Sequence, residues 1–249
     1  LVPEKKLRAL SSKVEPGGGG INISRALKKL GIASEAIILS GGYTGKTLEA
    51  LLTKEQVDFT AITTEGDTRE NFVVFDEDKK LQYRFGMPGE SVSNQELGLL
   101  MQAIGNCSHA DYIVVSGSLP PGTANSVFHE IAIIAEQLNA KLIIDTSGEA
   151  LKAAVKEGLY LIKPNLRELA SLVGKEWIAI SDVIATARQV IAAGSCKAMA
   201  VSMGADGAML ITATEHFQAA APKAPVLSTV GAGDSMVAGM LAALTKGWG

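Results

Sequence analysis

The sequence has little that would cross-link a fold or hold it in a membrane. Its 249 residues include only two cysteines, Cys107 and Cys196, which lie far apart and outside any metal-binding spacing. A disulfide framework and a zinc cluster are therefore not expected, and a reducing cytoplasm is the predicted location. The longest apolar helical run, Met236 to Leu244, is about half of the roughly 18 residues that a membrane-spanning helix needs.

An excess of charge of one sign is also missing. The chain carries 23 lysines and arginines against 26 aspartates and glutamates, which gives a formal net charge of -3. A balance this close to neutral provides no global attraction to nucleic acid or to an anionic membrane, so we predict neither as a partner. Because 47% of the residues are hydrophobic, the chain can bury a substantial core.

Apolar strand-like runs alternate with longer stretches of helical periodicity. The runs are nearly continuous, which is typical of parallel strands that are covered on both faces. Between them, apolar residues recur at i, i+3, i+4 and i+7 spacing over Ile23 to Leu30 and Ile131 to Leu138. This alternation predicts a doubly wound α/β fold with a mostly parallel sheet and helices on both faces. The predicted strands are Ala36 to Leu39, Tyr112 to Val115, Lys141 to Ile144, Tyr160 to Ile162 and Met199 to Val201.

One segment departs from this alternation. Asn71 to Phe75 and Leu81 to Phe85 are short and rich in β-forming residues, and the charged stretch Asp76 to Lys80 joins them. The pattern predicts a β-hairpin. Such a hairpin could protrude as a lid or dimer surface, or it could be an edge meander of the main sheet.

Two nucleotide-binding patterns are nearly present. Ser40 to Thr47 ends in Gly-Lys-Thr, but Ser40 stands where a P-loop has its first glycine. We favour an ordinary strand–loop–helix connection there, with a P-loop phosphotransferase that uses Lys46 as an alternative. The glycines at 17–20 and at 231–233 both lack the third glycine of the dinucleotide fingerprint, which disfavours a nicotinamide dehydrogenase.

Two glycine-rich segments each open a predicted helix. The four glycines at 17–20 let the backbone approach a ligand, and Asn22 can hydrogen-bond hydroxyls; a loop capped by Asn22 is the alternative. The later segment, Ser228 to Met236, contains Gly-Ala-Gly-Asp at 231–234. Consecutive N–H groups at a helix N-terminus favour a phosphate. An acid beside them is often only an N-cap, but it can also accept a hydroxyl proton.

Together these segments resemble the two signatures of the ribokinase-like carbohydrate kinases, the PfkB family. The early signature is Gly18 to Asn22 and the late one is Thr229 to Asp234. The resemblance implies one ribokinase-like domain over 1–249 with a β-lid hairpin at about 68–90. Supporting stretches appear in family order at 68–71, 83–85, 116–122, 147–151 and 163–165, so the resemblance covers essentially the whole chain.

The resemblance implies a kinase that phosphorylates a sugar hydroxyl. Asp234 would be the catalytic base, and the amides of Gly231, Ala232 and Gly233 would form the anion hole for the transferring phosphoryl group. Gly18, Gly19 and Asn22 would hold sugar hydroxyls. The candidates for binding the phosphate already on the substrate are Lys6, Arg8, Arg69, Arg84 and Ser118, of which we expect at least one to be a plain surface charge.

ATP and Mg²⁺ are the implied cofactors, together with K⁺ as a monovalent cation. Lys163 and Asn165 would contact the nucleotide phosphates, and Glu168 would hold magnesium through water. Asn165 and Glu168 also have the spacing of a helix capping box. The nucleotide would be lined by Ser202 and Gly204, and backbone carbonyls of Ser228 and Val230 would bind the monovalent cation.

The four glycines at 17–20 differ from the Gly-Gly-Lys-Gly that is common in the family's 1-phosphofructokinases and tagatose-6-phosphate kinases. This difference favours fructose 6-phosphate as the substrate, phosphorylated by ATP to fructose 1,6-bisphosphate. Tagatose 6-phosphate and fructose 1-phosphate are alternative substrates, and a non-catalytic sugar-phosphate or nucleotide sensor is a further alternative. In relatives the hairpin is a lid and dimer clasp, so a homodimer through the lid is implied.

Two family elements are not found in the sequence. One is an N-terminal strand ending in an aspartate that grips the sugar, and the other comprises the C-terminal elements that close the adenine pocket and the cation site. The chain starts at Leu1 rather than Met and stops shortly after an apolar helical run. We therefore expect the natural protein to be longer at both ends.

Overall fold

The computed structural model describes residue 4, residues 6–223 and residues 230–248, which form an α/β fold. The α-helices are α1 Gly19–Lys29, α2 Gly42–Lys54, α3 Asn94–Gly105, α4 Val127–Gln137, α5 Gly148–Ala154, α6 Leu166–Leu172, α7 Val183–Ala192 and α8 Ala232–Thr245. The strands are β1 Glu35–Ser40, β2 Asp58–Thr63, β3 Phe72–Asp76, β4 Leu81–Phe85, β5 Tyr112–Ser116, β6 Lys141–Asp145, β7 Leu159–Ile162, β8 Cys196–Ser202, β9 Ala208–Thr212 and β10 His216–Ala219. Short 3₁₀ turns cover Ile180–Asp182 and Gly204–Asp206.

The central sheet has six strands in the order β10-β9-β8-β7-β6-β5. Strands β5 to β8 run parallel, and β9 and β10 add an antiparallel hairpin at one edge. All five strands predicted from apolar runs are present, and the predicted mostly parallel sheet is confirmed. The sequence pattern did not identify β10, because its four residues are all exposed and only pairing with β9 defines the strand.

Helices cover both faces of the central sheet, as predicted. Leu142 and Ile144 of β6 pack on one side in a cluster that includes Phe128 of α4. Ile143 points the opposite way and packs with Val237 of α8 and with residues of α1. A strand whose successive side chains are all buried needs an apolar layer on each face, and that need explains the continuous apolar run in the sequence.

Strands β1 and β2 form a second, two-stranded parallel sheet, which within the described residues is not hydrogen-bonded to the first. Helix α1 connects the two sheets through side chains. Its Ile21 packs with Ala36 and Ile38 of β1, whereas Ile23 packs with the cluster that lies on the central sheet. The amino end of α1 is therefore fixed by both sheets at once.

The predicted hairpin is present as β3 and β4, paired antiparallel with Phe72 opposite Phe85. The first strand is shifted by one residue from the prediction, and the turn covers 77–80. The hairpin is a separate two-stranded sheet within the described residues, so it protrudes and is not an edge meander of the main sheet.

The near-P-loop is an ordinary strand–loop–helix connection, as favoured from the sequence. Strand β1 ends at Ser40 and α2 begins at Gly42. An ideal Cβ placed on Gly42 would lie only 1.6 Å from Oδ1 of Asp67, so a carboxylate already occupies this helix N-terminus. A phosphate would be repelled there, and the structure gives no support to the P-loop alternative. Within the described residues, no helix is long and apolar enough to cross a membrane.

The packing around α4 gives a test of the core. Phe128 is fully buried, whereas Ile133 on the same helix is 41% exposed. We expect Phe128→Ala to lower the free energy of unfolding by about 3–5 kcal/mol, because it leaves a cavity. Ile133→Ala is the matched control and should change it by about 0.5 kcal/mol or less. Urea denaturation of both variants measures the difference, and equal losses would contradict the assigned packing.

Candidate active site

The carboxyl ends of four parallel strands bring polar side chains to one edge of the central sheet. Ser116 ends β5 and lies opposite Asp145, which ends β6. Lys163 directly follows β7, and Ser202 ends β8. In open parallel sheets this edge is where ligands bind, because the loops that leave it surround a crevice. The candidate site lies here.

Helix α8 supplies the acid and the candidate anion hole. Gly231 caps the helix in the left-handed conformation with φ of 75°, which glycine adopts without strain. Ser235 N donates to Gly231 O at 2.8 Å, so the preceding amides, at Ala232 and Gly233, have no intrahelical acceptor. This geometry matches an anion-binding helix N-terminus.

The two glycine-rich segments meet in space. The side-chain amide of Asn22, in the first turns of α1, donates to Oδ2 of Asp234 at 2.8 Å. An ideal Cβ on Gly231 would lie 3.9 Å from the same carboxylate oxygen, so the capping glycine borders this contact. Asn22 therefore orients the predicted catalytic base.

The sugar-binding residues expected from the sequence also converge. An ideal Cβ on Gly19 would lie 2.1 Å from Ser116 Oγ and 3.1 Å from the Ser116 carbonyl carbon, so α1 begins directly against the end of β5. Two residues further on, Ser118 Oγ accepts a hydrogen bond from Arg69 Nη2 at 3.4 Å. Gly18, with φ of 109°, caps α1 beside them.

A buried ion pair lies beneath the first turn of α8. Lys163 Nζ is 3.2 Å from Asp145 Oδ1, and the two side chains are 8% and 15% exposed. An ideal Cβ on Gly233 would lie 3.2 Å from the same Nζ. Burial raises the pKa of Asp145, Lys163 opposes that rise, and the carboxylates of Asp234 and Glu168 add to it. Lys163 is thus placed at the candidate anion hole.

Three of the four predicted nucleotide residues, Asn165, Ser202 and Gly204, line one open cavity. The backbones of Asn165 and Ser202 form an isolated parallel β-bridge, and both residues border a cavity of about 310 Å³. Asn165 Oδ1 accepts from Glu168 N at 2.9 Å, while Glu168 Oε2 accepts from Asn165 N at 2.8 Å. The capping box suggested by the spacing is therefore present. The cavity is lined by Asn165, Leu166, Arg167, Ser202, Met203 and Gly204.

The described residues contain no group of three or more histidine, cysteine, aspartate or glutamate side chains that could hold a metal ion directly. This finding is compatible with the expectation that Glu168 acts through water. Val230 is exposed just before α8, and Ser228, the other predicted cation ligand, lies outside the described residues.

Three of the predicted phosphate-binding residues lie on exposed parts of the chain, and their role stays a prediction. Lys6 and Arg8 are exposed in an irregular segment that precedes α1. Arg84 is exposed on β4, and its Nη2 donates to Gln82 Oε1 at 3.4 Å. Arg69 and Ser118, two of the five candidates, are hydrogen-bonded to each other.

Comparison with known proteins identifies the family. A family model described as "pfkB family carbohydrate kinase" matches residues 2–249 of the chain. The chain belongs to this family. It is 38% identical over 247 residues to the ATP-dependent 6-phosphofructokinase isozyme 2 of Escherichia coli, a match that covers 99% of this chain and 80% of that protein. It is also 32% identical to the 1-phosphofructokinase of Bacillus subtilis, over 93% of this chain and 75% of that protein.

Solved structures agree with this assignment. The crystal structure of E. coli phosphofructokinase-2 in complex with fructose-6-phosphate matches with a TM-score of 0.93 at 38% identity, covering 99% of this chain and 81% of that one. The resemblance noted from the sequence motifs is confirmed, as is the ribokinase-like fold. The chain is a carbohydrate kinase.

Sequence reasoning missed two residues of this kinase's site. Asp145 was not singled out, although an acid directly after the buried apolar run Leu142 to Ile144 is a recognisable signal. Arg167 lines the open cavity, and only its position two residues after Asn165 could have indicated it. Both depend on long-range contacts that local spacing does not reveal.

The close approach of α1 to β5 gives a second test. We expect Gly19→Ala to destabilise the kinase by about 1–3 kcal/mol and to disturb sugar binding, because the new methyl group meets Ser116 backbone as well as its side chain. Gly20→Ala is the matched control, since a Cβ there meets nothing within 4 Å. Chemical denaturation of the two variants compares them directly. Indistinguishable unfolding midpoints would show that the backbones do not approach this closely.

Proposed function

We propose that this kinase transfers the γ-phosphoryl group of ATP to the C1 hydroxyl of fructose 6-phosphate, giving fructose 1,6-bisphosphate and ADP. The observation that carries the proposal is the Asn22–Asp234 contact at the N-terminus of α8. The carboxylate lies in the first turn of α8, and Gly233 of the same turn borders the ammonium of Lys163. A base, an anion hole and a cation in one crevice are the parts that phosphoryl transfer requires.

Two observations favour fructose 6-phosphate over other phosphosugars. Relatives from E. coli and Mycobacterium tuberculosis, at 38% and 37% identity, are ATP-dependent 6-phosphofructokinases. Position 19 has no room for a side chain, so this chain is unsuited to the lysine that other members carry there. Fructose 1-phosphate is an alternative substrate, since 1-phosphofructokinases are also relatives. Tagatose 6-phosphate stays the other alternative from the sequence, and the D-tagatose-1-phosphate kinase among the relatives supports only a tagatose phosphate in general.

In the proposed reaction the sugar lies between α1 and α8. Gly18, Gly19 and Asn22 hold its hydroxyls, and Asp234 accepts the proton of the C1 hydroxyl as that oxygen bonds to the γ-phosphorus. The bond between the γ-phosphorus and the β–γ bridging oxygen breaks, and ADP leaves. The amides at 231–233 stabilise the negative charge on the transferred group, so no covalent enzyme intermediate is needed.

The nucleotide would occupy the open cavity beside α6. Asn165, Ser202 and Gly204 line it, and Lys163 directly follows β7, two residues before Asn165. Mg²⁺ carried by ATP would offset the phosphate charge, and Glu168 would hold it through water. K⁺ is proposed at Val230 and Ser228, since E. coli phosphofructokinase-2 has been crystallised with potassium.

The substrate phosphate would be bound by Arg69 and Ser118 of the same chain. Lys6, Arg8 and Arg84 are exposed, and we assign them to the site of a neighbouring subunit. The β3–β4 hairpin supports such an arrangement. Cytoplasmic location stays the prediction made from the sequence.

We further propose that the hairpin forms a homodimer. Exposed apolar side chains lie on both of its faces: Phe72, Val74, Leu81 and Phe85 share one face, and Val73 and Phe75 lie on the other. A two-stranded sheet is marginally stable alone, and an apolar patch of this kind favours a second copy of the chain as its cover. E. coli phosphofructokinase-2 also has a tetrameric inhibited form, so the dimer could assemble further. The face proposed for the interface consists of Phe72, Val74, Asp76, Leu81, Tyr83 and Phe85, so it is apolar except for Asp76 at the turn end.

The catalytic assignment is tested by Asp234→Asn. We expect kcat to fall by about 10²- to 10⁴-fold with KM little changed, because the amide cannot accept the proton. ADP release with MgATP and fructose 6-phosphate measures both constants. Lys46→Ala, at the near-P-loop, is the control and should leave turnover unchanged. If Asp234→Asn kept the kcat of the wild type, Asp234 would not be the catalytic base.

The dimer assignment is tested by Val74→Glu, which puts a charge in the centre of the apolar face. We expect the variant to sediment as a monomer and to lose affinity for the sugar phosphate, since the neighbour's cations are lost with the interface. Lys80→Glu, in the exposed turn, adds the same side chain outside the face and should stay dimeric. Analytical ultracentrifugation separates the outcomes, and a dimeric Val74→Glu would place the interface elsewhere.

A further inference from the structure

The transfer proposed above leaves Asp145 without a role. Its carboxylate is 15% exposed and lies 3.2 Å from the Lys163 ammonium, which is 8% exposed. Each group ends or follows a central parallel strand, β6 or β7, so the backbone holds both in place. Burying two charges costs free energy unless they are well oriented toward each other and their remaining polar atoms are hydrogen-bonded.

The position of this pair is unusual for a structural ion pair. The Lys163 ammonium lies beneath Gly233, in the first turn of α8. A helix N-terminus carries positive partial charge, so a cation there is repelled unless an anion compensates it. In the structure Asp145 is that anion, with an ideal Gly233 Cβ lying 3.9 Å from its Oδ2. A cation held against a positive helix end prepares the crevice for an incoming anion.

The other acids near the pair do not replace Asp145 as its partner. Asp234 is engaged by the Asn22 amide at 2.8 Å, and Glu168 closes the capping box with Asn165 at 2.8 Å. Asp145 is the acid that the structure pairs with the Lys163 ammonium. The direction in which the ammonium points is therefore set by Asp145.

We propose that Asp145 is a positioning residue that fixes the Lys163 ammonium beneath α8, where it meets the phosphoryl group during transfer. The inference rests on the proposed kinase reaction and deepens it. Asp145 itself does not touch the substrate or the metal in this account. It acts through Lys163 alone.

This role predicts a separation of kcat from nucleotide affinity. Asp145→Asn removes a negative charge from an anion-binding crevice, so the Kd for ATP should stay the same or fall. The ammonium loses its fixed position at the same time, and kcat should drop by about tenfold to a hundredfold, since small misplacements of catalytic groups are costly. Asp145→Glu keeps the charge but moves it by one methylene, and should give an intermediate kcat.

A double-mutant cycle provides the test. Wild type, Asp145→Asn, Lys163→Met and the double variant are compared for kcat by ADP release, and for the Kd of ATP by calorimetry with and without Mg²⁺. We expect the loss caused by Asp145→Asn to disappear in the Lys163→Met background. Glu149→Gln is the matched control, because it breaks an exposed ion pair with Lys152 and should change nothing.

Several results would overturn the proposal. They are an unchanged kcat in Asp145→Asn, a loss that persists in the Lys163→Met background, or a higher Mg²⁺ requirement, which would make Asp145 a metal-binding group. Melting temperatures identify a variant that fails to fold, and Asp145→Glu then replaces it in the cycle. Failure of the kinase proposal is distinguishable, because the wild type would then release no ADP while the ATP-binding comparison still reports on Asp145.

Discussion

The hydrogen bond from Asn22 Nδ2 to Asp234 Oδ2, 2.8 Å long, joins two residues that are 212 positions apart in the chain. The two side chains meet because α1 and α8 pack on the same face of the central sheet, through Ile23, Leu27, Val237 and Leu241. That packing brings both glycine-rich helix starts to the carboxyl edge of the strands. The base and the anion hole of the proposed reaction depend on this single juxtaposition of helices.

Near this contact between α1 and α8, charged side chains are paired or hydrogen-bonded within the chain. Lys163 is paired with Asp145, and Glu168 takes part in the capping box of α6 with Asn165. At the other glycine-lysine motif, Asp67 occupies the N-terminus of α2. The two helix N-termini therefore differ in a physical way: one is closed by a carboxylate of the chain, and the other has amides beside a compensated cation. The second alone is suited to bind a phosphoryl group.

Much of this arrangement could be predicted from the sequence, because it depends on residue patterns that are local in the chain. Continuous apolar runs identified the parallel strands, two β-rich segments joined by a charged turn identified the β3–β4 hairpin, and spacing identified the capping box of Asn165 and Glu168. The Asp145–Lys163 pair could not be predicted in this way, since it joins the ends of two strands through register, not spacing. Exposed segments such as the one with Lys6 and Arg8 follow no periodic pattern, so their place relative to the site was also beyond local reasoning.

The central claim is that this member of the family phosphorylates a phosphosugar at the crevice between α1 and α8. The most direct measurement is ADP release by the full protein with MgATP and, side by side, fructose 6-phosphate, tagatose 6-phosphate, fructose 1-phosphate and free fructose. The account predicts a clear preference for fructose 6-phosphate. A preference for another sugar would contradict the substrate assignment. No ADP release with any of the four, while ATP binding is intact, would contradict the kinase reaction and favour a sensor.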